Sequence, residues 1–144
     1  MLGQLLQRTL PIAASVIAAS LVFYCFYTAV ANWTLERLGQ LGWDMSQHAI
    51  IAMHGLAYGL FFFPPLLGTL VFLVVSRQWE LKRIGWGVLT AMLCSVAYPL
   101  ADVITVLMPS FAKICVQSGG LWALVTTLGF LMLCIHVVNS RASA

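Results

Sequence analysis

Four apolar stretches, at 9–31, 49–75, 84–108 and 119–138, fill most of this chain, and almost every charge lies between them. A helix rises 1.5 Å per residue, so about 20 apolar residues cross the ~30 Å hydrocarbon core of a bilayer. Each stretch meets that length. Within them, the side chains able to carry charge near neutral pH are Asp102, His54 and His136. With 62% hydrophobic and 8% charged residues, the chain lies far from the roughly 25% charged of soluble domains. The expected fold is therefore an all-α integral membrane protein: four antiparallel transmembrane helices forming a single domain over 1–144. The longest polar segment, 32–48, is too short for a soluble domain.

The basic residues are informative by position. Arg8 precedes the first span, Arg77, Lys82 and Arg83 separate the second from the third, and Arg141 follows the fourth. The opposite side has Arg37 and Lys113, offset by Glu36 and Asp44. The positive-inside rule then places both termini and the second loop in the cytoplasm. Size and charge bias together suggest a bacterial inner (plasma) membrane. With no basic run beyond these topology signals, nucleic-acid binding is not expected. Indole rings favour the headgroup level, and Trp33, Trp43 and Trp122 fall at outer span edges, Trp79 and Trp86 at inner ones. Ala29-Val30-Ala31 has the small-x-small form of a signal-peptidase site, but the preceding apolar run exceeds the 7–15 residues of a typical signal h-region. A transmembrane anchor is the expected reading.

Between the first two spans, leucines recur every three residues over 33–42 with polar groups between them. This pattern suits a short amphipathic helix in the outer headgroup plane, capped by Thr34 with Glu36 in its first turn. Helix packing in lipid relies on small residues that let backbones approach. Ala14 and Ala18, with Ser15 and Ala19, supply such a face in the first span. Gly55 and Gly59 form a GxxxG in the second, Gly87, Ala91 and Ser95 follow at i, i+4, i+8 in the third, and Gly120, Ala123, Thr127 and Gly129 lie in the fourth.

A carboxylate inside a membrane costs about 2.5–3.5 kcal/mol on insertion scales and so calls for a partner or water. Asp102 and His54 fall at similar depth in neighbouring spans, with Tyr98 and Tyr58 one turn from each. Together they form a candidate intramembrane polar site, with a structural hydrogen-bonded pair as the plainer reading. His54 and His136 lie near opposite ends of their spans, which argues against a bis-histidine haem. No cluster offers the three or four ligands zinc needs. No cofactor or metal is expected. Cys25, Cys94 and Cys134 read as small buried groups within spans; Cys115 stands alone in the third loop, and no CxxC pair is present. Pro64-Pro65 and Pro99 remove helical N–H groups, Pro64 and Pro65 depriving the Leu60 and Phe61 carbonyls of their usual bonds.

No nucleophile elbow, phosphate loop or paired carboxylates occur, and an enzyme is not expected. The expected function is association: an accessory, sensor or immunity-type subunit of a membrane complex, in contact with the lipid bilayer and with another membrane protein or copies of itself. The expected recognition loops carry Trp33, Glu36, Arg37, Trp43 and Asp44 on one side and Arg77, Trp79, Lys82 and Arg83 on the other. The alternative is a homo-oligomeric small channel or transporter with its polar site at Asp102 and His54.

Overall fold

The structure, a computed structural model, describes residues 2–41, 47–96 and 121–142. Within these the side chains of 3, 4, 6–29, 58–96, 121 and 123–141 are described. All the described secondary structure is helical: α1 (Leu2–Leu41), α2 (Gln47–Val75), α3 (Leu81–Ser95) and α4 (Leu121–Ala142). Three segments, Leu6–Ala29, Tyr58–Val75 and Ala123–Arg141, are long and apolar enough to cross a membrane, and they mark the chain as a membrane protein. The fifteen residues of α3 rise only about 22 Å; the rest of the expected third span, 97–108, lies outside the described residues.

The separate amphipathic helix expected over 33–42 does not form. Residues 33–41 instead continue α1 as one uninterrupted 40-residue helix. The physical reason is the absence of a helix breaker where the span passes into this segment. No glycine or proline occurs between Pro11 and Gly39, so nothing opposes propagation once the apolar helix is nucleated. Thr34, expected as a cap, sits inside the helix. Likewise Pro64 and Pro65 lie within α2 without ending it. Both rings are fully buried, and helix packing around them keeps the segment helical although two N–H donors are missing.

The core is small and sits where α1, α2 and α4 meet: Ala19, Phe72, Leu73, Leu131, Ile135 and Val138, with Val16, Ile84, Trp86 and Leu128 packed against it. Close backbone approach makes this possible. A Cβ at Gly68 would lie 2.7 Å from Leu131 Cδ1, 3.0 Å from the Ser15 carbonyl oxygen and 3.1 Å from Ala19 Cβ. Ser15 and Ala19 are fully buried there. Two turns away in α2, Gly59 admits the Phe26 ring, whose edge would lie 3.1 Å from an added Cβ, and Phe26 stacks on Phe63 at 5.2 Å between centroids. Gly87 brings α3 against Thr69 of α2 and Val138 of α4.

Candidate functional site

Polar groups inside the bundle are engaged. Ser15, Thr69, Thr90 and Thr127 are buried, and each donates its hydroxyl hydrogen at 2.7 Å to a carbonyl one turn back: Ile12, Pro65, Trp86 and Ala123. Such bonds satisfy a hydroxyl in an apolar helix without a second partner. No buried side-chain nitrogen or oxygen is unsatisfied among the described residues. The thiols of Cys94 (α3) and Cys134 (α4) are buried as well, and Gly87 of α3 lies against Thr69 of α2 and Val138 of α4. These contacts tie three helices together at one level.

The polar site expected at His54, Asp102, Tyr58 and Tyr98 is only partly covered. Asp102 and Tyr98 lie outside the described residues. His54 is on α2 with its side chain undescribed, and Tyr58 is half-exposed on the same helix. Of the small residues, Gly59, Gly87 and Ala91 are buried, Ser95 is half-buried, and Gly55 lies in the part of α2 whose side-chain surroundings are undescribed. In the first expected recognition loop, Trp33, Glu36 and Arg37 fall on α1 with undescribed side chains, while Trp43 and Asp44 lie outside the described residues.

The second loop is described completely, and it is highly organised. After Val75 the chain closes a Schellman cap: the Arg77 N–H donates to the Val74 carbonyl (3.1 Å) and the Gln78 N–H to the Leu73 carbonyl (2.8 Å). That motif puts its turning residue in the left-handed region, where glycine is favoured. Here the residue is Arg77, at φ 57°, and an L side chain there costs about 1 kcal/mol. Arg83 then straps the turn from the other side. Its Nη1 donates to Gln78 Oε1 (2.8 Å) and its Nε to Glu80 Oε2 (3.2 Å). The result is a fixed platform on which Leu81 is 86% exposed, Trp79 56% exposed, and Lys82 points outward.

Beside the turn lies an open cleft of ≈ 800 Å³, formed by the start of α1, the end of α2 and one side of α4. Arg8 and Arg77 both line it, with Gln7, Ser76, Gln78 and Asn139 as further polar groups and Pro11, Phe72 and Ile135 among the apolar ones. A shallower groove of ≈ 420 Å³ runs between α3 and α4. At its end the Arg141 guanidinium sits 5.4 Å over the Trp86 ring, a cation–π contact. The meeting of Arg8 with Arg77 had a signal in the sequence: both flank apolar spans on the same inferred side. Their shared cleft did not. Among the described residues, no group of three or more His, Cys, Asp or Glu side chains could hold a metal ion.

No protein-family model, curated protein or solved structure matches this chain.

Proposed function

We propose that this chain is a small, non-catalytic protein of a bacterial inner membrane that acts by association, as an accessory, sensor or immunity-type subunit of a larger membrane complex. In this reading four antiparallel spans cross the bilayer, both termini are cytoplasmic, and the turn between α2 and α3 is the recognition surface. One observation carries it. The turn at 76–83 is held rigid by a Schellman cap and by the Arg83 strap, yet it displays Trp79 and Leu81 to the outside. Large apolar side chains held in a preorganised, polar-rimmed loop are the usual anchors of protein interfaces, because little conformational entropy is lost when they bind.

The test is native mass spectrometry of the protein extracted gently from its own membrane, beside the double variant Trp79→Ser, Leu81→Ser. The expected result is a stoichiometric second polypeptide with the parent chain and its loss from the variant, while the variant keeps its helical circular dichroism. A second polypeptide retained equally by both would refute the turn as the recognition surface. A pure homo-oligomer would refute association with another subunit and favour the channel alternative, to be pursued through Asp102→Asn in liposome flux.

A further inference from the structure

We propose that the cleft lined by Arg8 and Arg77 binds a phosphate group, carried either by an anionic lipid headgroup or by a soluble phosphate ester. Three observations converge on it, and none depends on the association reading. The first is charge without compensation. Neither the Arg8 nor the Arg77 guanidinium has a hydrogen-bond or ion-pair partner among the described residues, and Glu80, the one carboxylate whose side chain is described, is engaged by Arg83. Two guanidiniums lining one cleft are stabilised by a shared anion, for which their forked donors are suited.

The second is the direction of a third donor. Gln78 lines the cleft, and its amide oxygen already accepts from Arg83 Nη1. The amide that remains is the NH₂ end, which can only donate. The Arg83 strap thus fixes Gln78 as a donor beside two cations. The third is the backbone at Arg77. Glycine would complete the same Schellman cap without strain, yet an arginine occupies the left-handed position at φ 57°. Strain of this kind persists where the side chain has a use. The cap also places the arginine: residue 77 lines the same cleft as Arg8.

Size and lining narrow the class. At ≈ 800 Å³ the cleft is far larger than a bare phosphate and falls in the range of organic-ligand sites. Its apolar floor, including Pro11, Phe72 and Ile135, suits a ligand with a carbon portion attached to the phosphate.

The experiment uses the full chain and four variants: Arg8→Gln, Arg77→Gly, the pair combined, and Lys82→Gln as an exposed cation outside the cleft. Each is reconstituted in phosphatidylcholine nanodiscs, with or without equimolar phosphatidylglycerol, and lipid retained after gentle ejection is counted by native mass spectrometry. Glycerol 3-phosphate is titrated into the phosphatidylcholine samples in parallel, followed by calorimetry. Arg77→Gly preserves the cap, so it should be at least as heat-stable as the parent, and any binding it loses is not a loss of fold.

The expected result is selective retention of phosphatidylglycerol, or saturable binding of glycerol 3-phosphate, weakened about tenfold or more by each arginine variant and unchanged by Lys82→Gln. The first outcome assigns a lipid headgroup, the second a soluble ester. No selectivity in either arm would overturn the proposal. So would equal weakening by Lys82→Gln, which would reduce the effect to diffuse surface charge.

Discussion

A single methyl group added at Gly68 probes the tightest approach in the bundle. Of the three atoms it would meet, Leu131 Cδ1 at 2.7 Å is the end of a flexible side chain and can rotate aside. The Ser15 carbonyl oxygen at 3.0 Å and Ala19 Cβ at 3.1 Å belong to the α1 backbone and to a side chain with no freedom. Both fall about 0.3–0.4 Å short of ordinary contact, so α1 itself must retreat. Overpacking of this kind costs about 1–3 kcal/mol, while alanine gains up to about 1 kcal/mol over glycine in a helix. The net for Gly68→Ala is a loss of about 1 kcal/mol. Gly129→Ala, with nothing within 4 Å of its added Cβ, collects the same propensity gain with no clash. The difference between the two variants therefore isolates packing, and it should be about 1–3 kcal/mol. Reversible unfolding in mixed detergent micelles, or steric trapping in bicelles, measures it. Adding Ala19→Gly to Gly68→Ala should restore part of the loss, with a coupling of at least about 0.5 kcal/mol. Equal stabilities for Gly68→Ala and Gly129→Ala would refute the argument, since the α1–α2 approach would then be looser than described.

Further expectations follow from the polar level shared by α2, α3 and α4. In a Cys115→Ser background, N-ethylmaleimide should leave Cys94 and Cys134 unmodified until the protein unfolds, since both are buried; rapid labelling of Cys134 would contradict its burial. Thr69→Val keeps a methyl group against Gly87 and removes one hydroxyl, a loss of about 0.6–1 kcal/mol. Thr69→Ala also opens a gap beneath Gly87 and should cost more. The reverse order in unfolding experiments would mean that the hydroxyl, not the methyl, holds that contact.

What the sequence discloses about this fold is governed by which interactions are local. Apolar length is local, so the end of the second span at Val75 is legible directly, while the fourth, read at 119–138, has its apolar window at Ala123–Arg141. Of the small face read as Ala14 and Ala18 with Ser15 and Ala19, it is Ser15 and Ala19 that meet Gly68. Helix continuity depends on what is missing over many residues. The leucine spacing at 35, 38 and 41 suggested an independent amphipathic helix, but the breaker-free run from 12 to 38 carries α1 through it. Gly68 escaped notice because it belongs to no GxxxG pair; its small size is required by Ala19 and Ser15 of α1, forty-nine and fifty-three residues away. The cleft was similarly invisible. Arg8 and Arg77 each have an adequate explanation as topology signals, and only the cap geometry at Arg77 turns two separate charges into one surface. The expected site at Asp102 and Tyr98 lies outside the described residues.

The unbroken length of α1 has a mechanical consequence. Forty residues make a rod about 60 Å long, roughly twice the hydrocarbon thickness. Its apolar part ends at Ala29, and the remaining turns to Leu41 prolong the same axis by about 18 Å. With no glycine or proline from 12 to 38 to act as a hinge, the rod behaves as a lever held along α2 from Ser15 and Ala19 at Gly68 to Phe26 at Gly59. Leu41 stands about 22 Å beyond Phe26, the last of those contacts, so a tilt of about 5° there sweeps the tip by about 2 Å. A load applied to the far tip would therefore be borne by the α1–α2 contact and not passed rigidly to Arg8, which lies beyond Pro11, where the helical hydrogen-bond ladder lacks a donor.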